Sequence, residues 1–305
     1  MTQLRKSKGA LLKVFVIAIL LLGVYISLVS ATDSGEISAV IYPLKLSGFS
    51  AQIGTVEIEP PKFPEFSAQI NTAEIIDTQY LKLVNRDFAI TKPVSNTLLL
   101  YAWQSVSVRT KCIQLHKTAL QALQELFVAA QSEANINYLF VTSGFRNQDV
   151  QENIYRNAID RSFVMPPGHS EHHLGLAADI LTPGRTLSSM VGSHEALWLA
   201  ENASRFGLIL RYPEDKQNIT RVAYEPWHFR YVGRIHAWYM GQNNFVLEEY
   251  IAYLQEHGGY QVALNGKNYY VLYQRPQNGI IFVPENMDFN VSGANTGGYI
   301  VTAWR

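Results

Sequence analysis

The sequence predicts an α+β chain, on three observations: a sustained helical period near the middle, short apolar runs bounded by turn residues, and a carboxyl-terminal stretch with β texture. Residues 81–90, LKLVNRDFAI, suggest a strand entering a loop. Ala119, Leu120, Leu123, Leu126, Phe127 and Ala130 recur at three- and four-residue steps, which predicts a helix over roughly 108–133. The run 138–142 reads as a short buried strand ending at Ser143-Gly144, and 147–160 as another helix. Ser193 is placed to cap a helix that runs to Phe206 and stops at Gly207, with a strand following at 208–212. Thr220, Val222 and Tyr224, then Trp227, Phe229 and Tyr231, alternate around Pro226, which suggests an extended segment interrupted at the proline. Phe245, Leu247, Tyr250, Ile251 and Leu254 predict a last helix. After Gly258-Gly259 the texture changes: Asn265-Gly266 between QVAL and KNYYVLY is a hairpin signal, and strands fit 279–283 and 298–303.

This reading divides the chain into four parts. Arg5, Lys6, Lys8 and Lys13 precede an uncharged, mostly apolar stretch over 14–29, so residues 1–31 read as an export signal. An uncleaved membrane helix is favoured over a cleaved signal peptide, although Val29-Ser30-Ala31 would serve as a cleavage site. Residues 32–78 show no sustained period and carry a near-duplication, FSAQIGTVEI at 49–58 and FSAQINTAEI at 66–75, and are expected to form a stalk. Residues 79–258 would be the main folded domain and 259–305 a small β module.

Composition excludes some classes. With 25 basic and 25 acidic residues there is no charge excess to suggest a nucleic-acid partner. The single cysteine, Cys112, has no partner for an intramolecular disulfide, and it is expected as a small buried residue in a helix.

Chemistry concentrates in GHSEHHLGLAAD at 168–179 and in Glu225-Pro226-Trp227-His228. Together these offer two imidazoles and a carboxylate for a metal, plus a spare glutamate, and such a set leaves a fourth position on zinc for water. In a helix His172 and Asp179 would lie about 10.5 Å apart along the axis, too far for one ion, so the chain must turn between them, and Gly175 permits it. Ser170 and His172 are two apart and would point the same way in an extended segment. Pro226 invites a distortion that lets Glu225 and His228 face one site, with Glu225 placed to act as a base. His116, His169, His173, His194, His236 and His257 are read as structural or solvated.

SxHxxGxAxD at Ser170–Asp179, EPWH at 225–228 and SGFRNQDVQ at 143–151 resemble the VanY/VanX zinc peptidases in their D,D-carboxypeptidase branch. LRYPEDK at 210–216, YEPWHFRYVG at 224–233, NFVLEEYIAYL at 244–254 and the GYIVTAW tail extend the similarity over about 80–304. The resemblance implies a small, mostly antiparallel sheet with helices packed on it. It implies one zinc held by His172, Asp179 and His228, with Glu225 as catalytic base and Arg146 stabilising the oxyanion. Gln151 and Ser170 would hold the terminal D-alanine, with Trp227 as a pocket wall. Phe145 stands where the family commonly has tyrosine, a change expected in packing.

The implied activity is removal of the terminal D-Ala from peptidoglycan precursors or stems ending in D-Ala-D-Ala, which would remove the target of vancomycin. The enzyme would sit at the outer face of a bacterial membrane. Other readings are an endopeptidase or a D-Ala-D-Ala dipeptidase of the same fold, or a catalytically silent wall-binding or sensor protein.

Overall fold

The computed structural model of the chain describes residues 25–31, 37–43, 64–90 and 94–305. Residues 1–59 and 60–305 are separate units. In the first, β1 (Tyr25–Ala31) pairs antiparallel with β2 (Ile37–Pro43). The expected membrane helix falls mostly on 1–24, outside the described residues. No helix among the described residues is long and apolar enough to cross a membrane.

The second unit begins with β3 (Ala68–Asn71), β4 (Leu99–Tyr101) and β5 (Gln114–His116), which lead into α1 (Lys117–Ala134). There follow β6 (Phe140–Ser143), α2 (Gln148–Asn157), β7 (Ala177–Leu181), α3 (Leu187–Met190) and α4 (His194–Asn202). Next come β8 (Leu208–Leu210), α5 (Gln217–Thr220), β9 (His228–Tyr231), α6 (Arg234–Asn243) and α7 (Leu247–His257). The tail is β10 (Gly259–Leu264), β11 (Lys267–Gln274), β12 (Ile280–Val283), β13 (Asp288–Gly293) and β14 (Tyr299–Trp304).

The central sheet is antiparallel throughout, in the order β6-β7-β9-β8. Helix α1 turns Leu120, Leu123 and Leu126 toward it, burying them in one cluster with Leu115, Val141, Ile180, Leu208 and Phe229. A period of 3.6 residues puts those leucines on one stripe, and their burial against the sheet holds both elements. Helix α7 buries Leu247, Tyr250, Ile251 and Leu254 in a second cluster that includes Leu81, Leu83, Val232, Tyr260, Val271 and Ile300. The tail strands β10-β11-β14-β13 form their own antiparallel sheet. Its β10–β11 hairpin turns at Asn265 (φ 50°) and Gly266 (φ 75°), the paired left-handed residues that Asn-Gly favours.

Several expectations are corrected. Helix α1 starts at Lys117, because the residues before it pair as β4 and β5, so Cys112 lies outside any helix and is exposed. Residues 81–90 are not a strand: Leu81, Leu83 and Val84 are buried from an irregular path. Thr220 ends α5, so only 228–231 of the supposed extended segment is strand. The second copy of the near-duplication is not stalk. Its Ala68–Asn71 portion is β3, hydrogen-bonded to β12, and Phe66, Ala68, Ile70 and Ile75 pack against Ile281, Val283, Val291 and Val301.

Candidate active site

The sheet register builds the site. Asp179 on β7 lies directly opposite Ser143 on β6 and His228 on β9, so the Asp179 and His228 side chains share one face. His172 comes from a single 3-10 turn, Glu171–Leu174, that ends at Gly175 in the left-handed region (φ 67°) before β7 begins. The turn that the His172–Asp179 spacing demands is therefore made at Gly175, where a Cβ would stand 2.6 Å from Leu99 Cδ2 and 3.2 Å from the His116 nitrogen. Ser170 is buried as the residue preceding this turn, and the extended geometry expected for Ser170 to His172 is absent.

One ligand atom from each of His172, Asp179 and His228 lies within 4.8 Å of the others. His172 Nε2 is 3.5 Å from Asp179 Oδ2, and His228 Nδ1 is 2.9 Å from Asp179 Oδ1. Atoms bound to one tetrahedral zinc at ~2.0–2.2 Å lie about 3.3–3.6 Å apart, and the 3.5 Å between His172 Nε2 and Asp179 Oδ2 falls in that range. Two imidazoles with a carboxylate is also a donor set suited to zinc. His172 Nδ1 faces the Gly144 carbonyl at 2.7 Å, which turns Nε2 toward the site. Gly144 itself lies close against β5, where a Cβ would meet the Gln114 carbonyl oxygen at 2.4 Å.

The electrostatics follow from burial and three carboxylates in a small volume. Burial pushes His172 down to about 4, helped by the charge of Arg146 and opposed by Asp179. Burial would lower His228 too, but the contact with Asp179 and the negative charges of Asp179, the nearby Glu171 and Glu225 override it and push the imidazole up to about 9. Burial would raise Asp179, yet His172 and His228 hold it well below the usual range. Glu225 has no such compensation: burial, reinforced by Asp179 and Glu171 and opposed by His228 and Arg146, pushes it up to about 8. Its Oε2 stands 3.7 Å from His228 Nδ1, so the base candidate is beside the ligand atoms.

The other expected residues are brought to the same place, with different contacts. Arg146 donates from Nη2 to Asp179 Oδ2 (2.9 Å), from Nη1 to Gln151 Oε1 (3.3 Å) and from Nε to Ser143 Oγ (2.9 Å). Gln151 is buried on α2 and donates to the Met165 carbonyl (2.7 Å), so it orients Arg146. Trp227 is buried, its ring centroid 6.1 Å from that of Phe163. His173 is structural, as expected: Nδ1 is 2.6 Å from the Arg146 carbonyl oxygen, and Nε2 accepts from the Gly168 amide.

Sequence reasoning missed Glu171, whose side chain is fully buried with Arg211 Nε at 2.8 Å and Arg230 Nη1 at 3.3 Å. Arg211 also donates two bonds to Glu248 on α7. Glu171 neighbours the candidate ligand His172 in sequence, but its partners are forty and more residues away.

A family model described as VanY, D-alanyl-D-alanine carboxypeptidase, matches residues 112–234. A D-alanyl-D-alanine carboxypeptidase of Enterococcus faecium is 39% identical over 193 residues, 63% of this chain and 62% of that protein. The chain thus spans less than two thirds of that relative. The bifunctional D-Ala-D-Ala dipeptidase and carboxypeptidase VanXYC of Enterococcus gallinarum is 35% identical over 128 residues, 38% of this chain and 67% of that one. Among solved structures, the vancomycin resistance D,D-dipeptidase VanXYg, in complex with a D-Ala-D-Ala phosphinate analog, aligns with a TM-score of 0.67. It is 27% identical and the alignment covers 78% of this chain and 98% of that one. With the ligand geometry and the antiparallel sheet that creates it, these matches establish that the chain belongs to the VanY D-alanyl-D-alanine carboxypeptidase family.

Proposed function

We propose that this chain is a zinc-dependent D,D-carboxypeptidase that removes the terminal D-Ala from peptidoglycan precursors or stems ending in D-Ala-D-Ala. The observation that carries the reading is the buried His172, Asp179 and His228 set with the Glu225 carboxylate 3.7 Å from a ligand nitrogen. One zinc ion held by these three residues supplies Lewis acidity for the scissile carbonyl and for water. Glu225 takes the proton of the attacking water and returns it to the departing D-Ala amine; burial raises its proton affinity above that of an ordinary carboxylate. Arg146, fixed by Ser143 and Gln151, presents a guanidinium beside the reacting carbonyl and stabilises the oxyanion. Ser170 and Gln151 line the place of the terminal D-Ala, and Trp227 walls it.

Loss of that D-Ala removes the target of vancomycin, so the activity would contribute to glycopeptide resistance. The basic residues before the apolar stretch at 14–29 favour a membrane anchor with the catalytic part on the outer face of the bacterial membrane.

The test is D-Ala release from a muramyl pentapeptide, with and without chelator, beside Glu225→Ala. Release that stops with chelator, returns with zinc and is lost in the variant supports the proposal. Hydrolysis of free D-Ala-D-Ala alone, or cleavage inside the stem, would replace it with the dipeptidase or endopeptidase reading. No hydrolysis by folded, zinc-loaded protein would leave a binding protein.

A further inference from the structure

The two nitrogens of His228 face different surroundings. Nδ1 is turned toward Asp179 Oδ1, on the side where the His172 and Asp179 ligand atoms converge. Nε2 points the other way, into the protein, 3.8 Å from Glu171 Oε2. Both of these atoms are buried, and neither has a hydrogen-bond partner among the described residues. At 3.8 Å they stand just beyond hydrogen-bond distance, a buried imidazole nitrogen facing a buried carboxylate oxygen that can only accept. The other Glu171 oxygen is held by Arg211 Nε at 2.8 Å and Arg230 Nη1 at 3.3 Å.

The arginines are themselves locked. Arg211 makes a forked pair with Glu248 at 2.7 and 2.8 Å, and Glu248 also accepts from Asn85. Arg230 Nη2 donates to the carbonyls of Gln79, Tyr80 and Lys82. The carboxylate therefore has little freedom to move away from His228.

We propose that Glu171 is the positioning residue that selects the Nε2–H tautomer of His228, leaving the Nδ1 lone pair to face the metal. This rests on the zinc reading above. An imidazole offers one lone pair when neutral, and a carboxylate behind the ligand both chooses which nitrogen carries it and raises its basicity. The bland alternative is that Glu171 serves only as counter-ion to Arg211 and Arg230.

Glu171→Gln separates the two roles. It removes the charge with little change of shape, and it leaves Arg211 on Glu248 and Arg230 on three carbonyls, so the variant is expected to fold. The measurement is zinc affinity of the full chain by competition with a chromophoric chelator, with folding checked by circular dichroism. The positioning role predicts zinc binding weaker by roughly 10- to 100-fold. A folded Glu171→Gln protein that binds zinc within about twofold of wild type would overturn the proposal.

A second measurement needs no variant: long-range ¹H–¹⁵N spectra of the zinc-loaded wild type, labelled at histidine nitrogen. An Nε2–H tautomer at His228 supports the inference, and an Nδ1–H tautomer overturns it even if the variant does not fold. Wild-type protein that binds no zinc would remove the metal reading itself, and this inference with it, before any variant is compared.

Discussion

His236 couples the catalytic part to the β tail, and its protonation gives a worked test of that contact. On α6 it is 4% exposed, with Nδ1 2.6 Å from the Tyr250 hydroxyl and Nε2 3.0 Å from that of Thr302 on β14. Burial pushes its pKa from 6.5 down to about 3. The unfolded chain therefore binds a proton on this residue at a pH where the folded chain does not. The stability it contributes is present above pH 6.5 and lost as the pH falls toward 3. Between pH 7 and pH 5 the linkage amounts to about 2 kcal/mol from this one side chain. His236→Gln keeps a donor and an acceptor for the two hydroxyls but does not titrate. Urea denaturation of wild type and variant at both pH values isolates the effect, since other groups, His116 included, cancel in the difference. The variant should start less stable at pH 7 yet lose about 2 kcal/mol less on going to pH 5. Equal losses in the two proteins would refute the buried neutral imidazole.

Further outcomes follow from the same geometry. Glu225→Ala should lower turnover by roughly 10²- to 10⁴-fold while zinc stoichiometry stays at that of wild type, because Glu225 acts on protons and lies outside the ligand set. Arg211→Met leaves Glu171 and Glu248 without their shared cation and should cost about 3–5 kcal/mol in urea denaturation. Gly175→Ala forces a side chain onto φ 67° and into Leu99, with an expected loss of about 1–3 kcal/mol by the same assay. Chelator should abolish hydrolysis and zinc restore it, whereas stoichiometric penicillin should leave the rate unchanged, since the proposed mechanism uses no serine nucleophile.

Much of the site was legible because its chemistry is compressed into short segments. His172 and Asp179 lie within one stretch of twelve residues, Glu225 and His228 within four, and Gly175 between the first two marks the turn that lets them meet. Ser193, which caps α4 by accepting from the Ala196 amide, and the Asn265-Gly266 turn were equally readable, because capping and hairpin preferences are local properties of backbone and side chain.

What the sequence by itself determined, then, is the grouping of the candidate ligands, the turn between them and the amphipathic α1 that backs the sheet. Tertiary structure alone decided the rest. It placed Cys112 outside the helix, because pairing of Leu99–Tyr101 with Gln114–His116 outweighs local helical preference. It drew Ala68–Asn71 out of the supposed stalk, because the edge of Ile280–Val283 offers hydrogen bonds and an apolar face that no local pattern announces. It decided which nitrogen of His228 faces the ligands, and it assembled Glu171, Arg211, Arg230 and Glu248 from four segments. A buried charge is tolerated only when a partner neutralises it, and that partner is chosen by distance in space, which spacing along the chain does not encode.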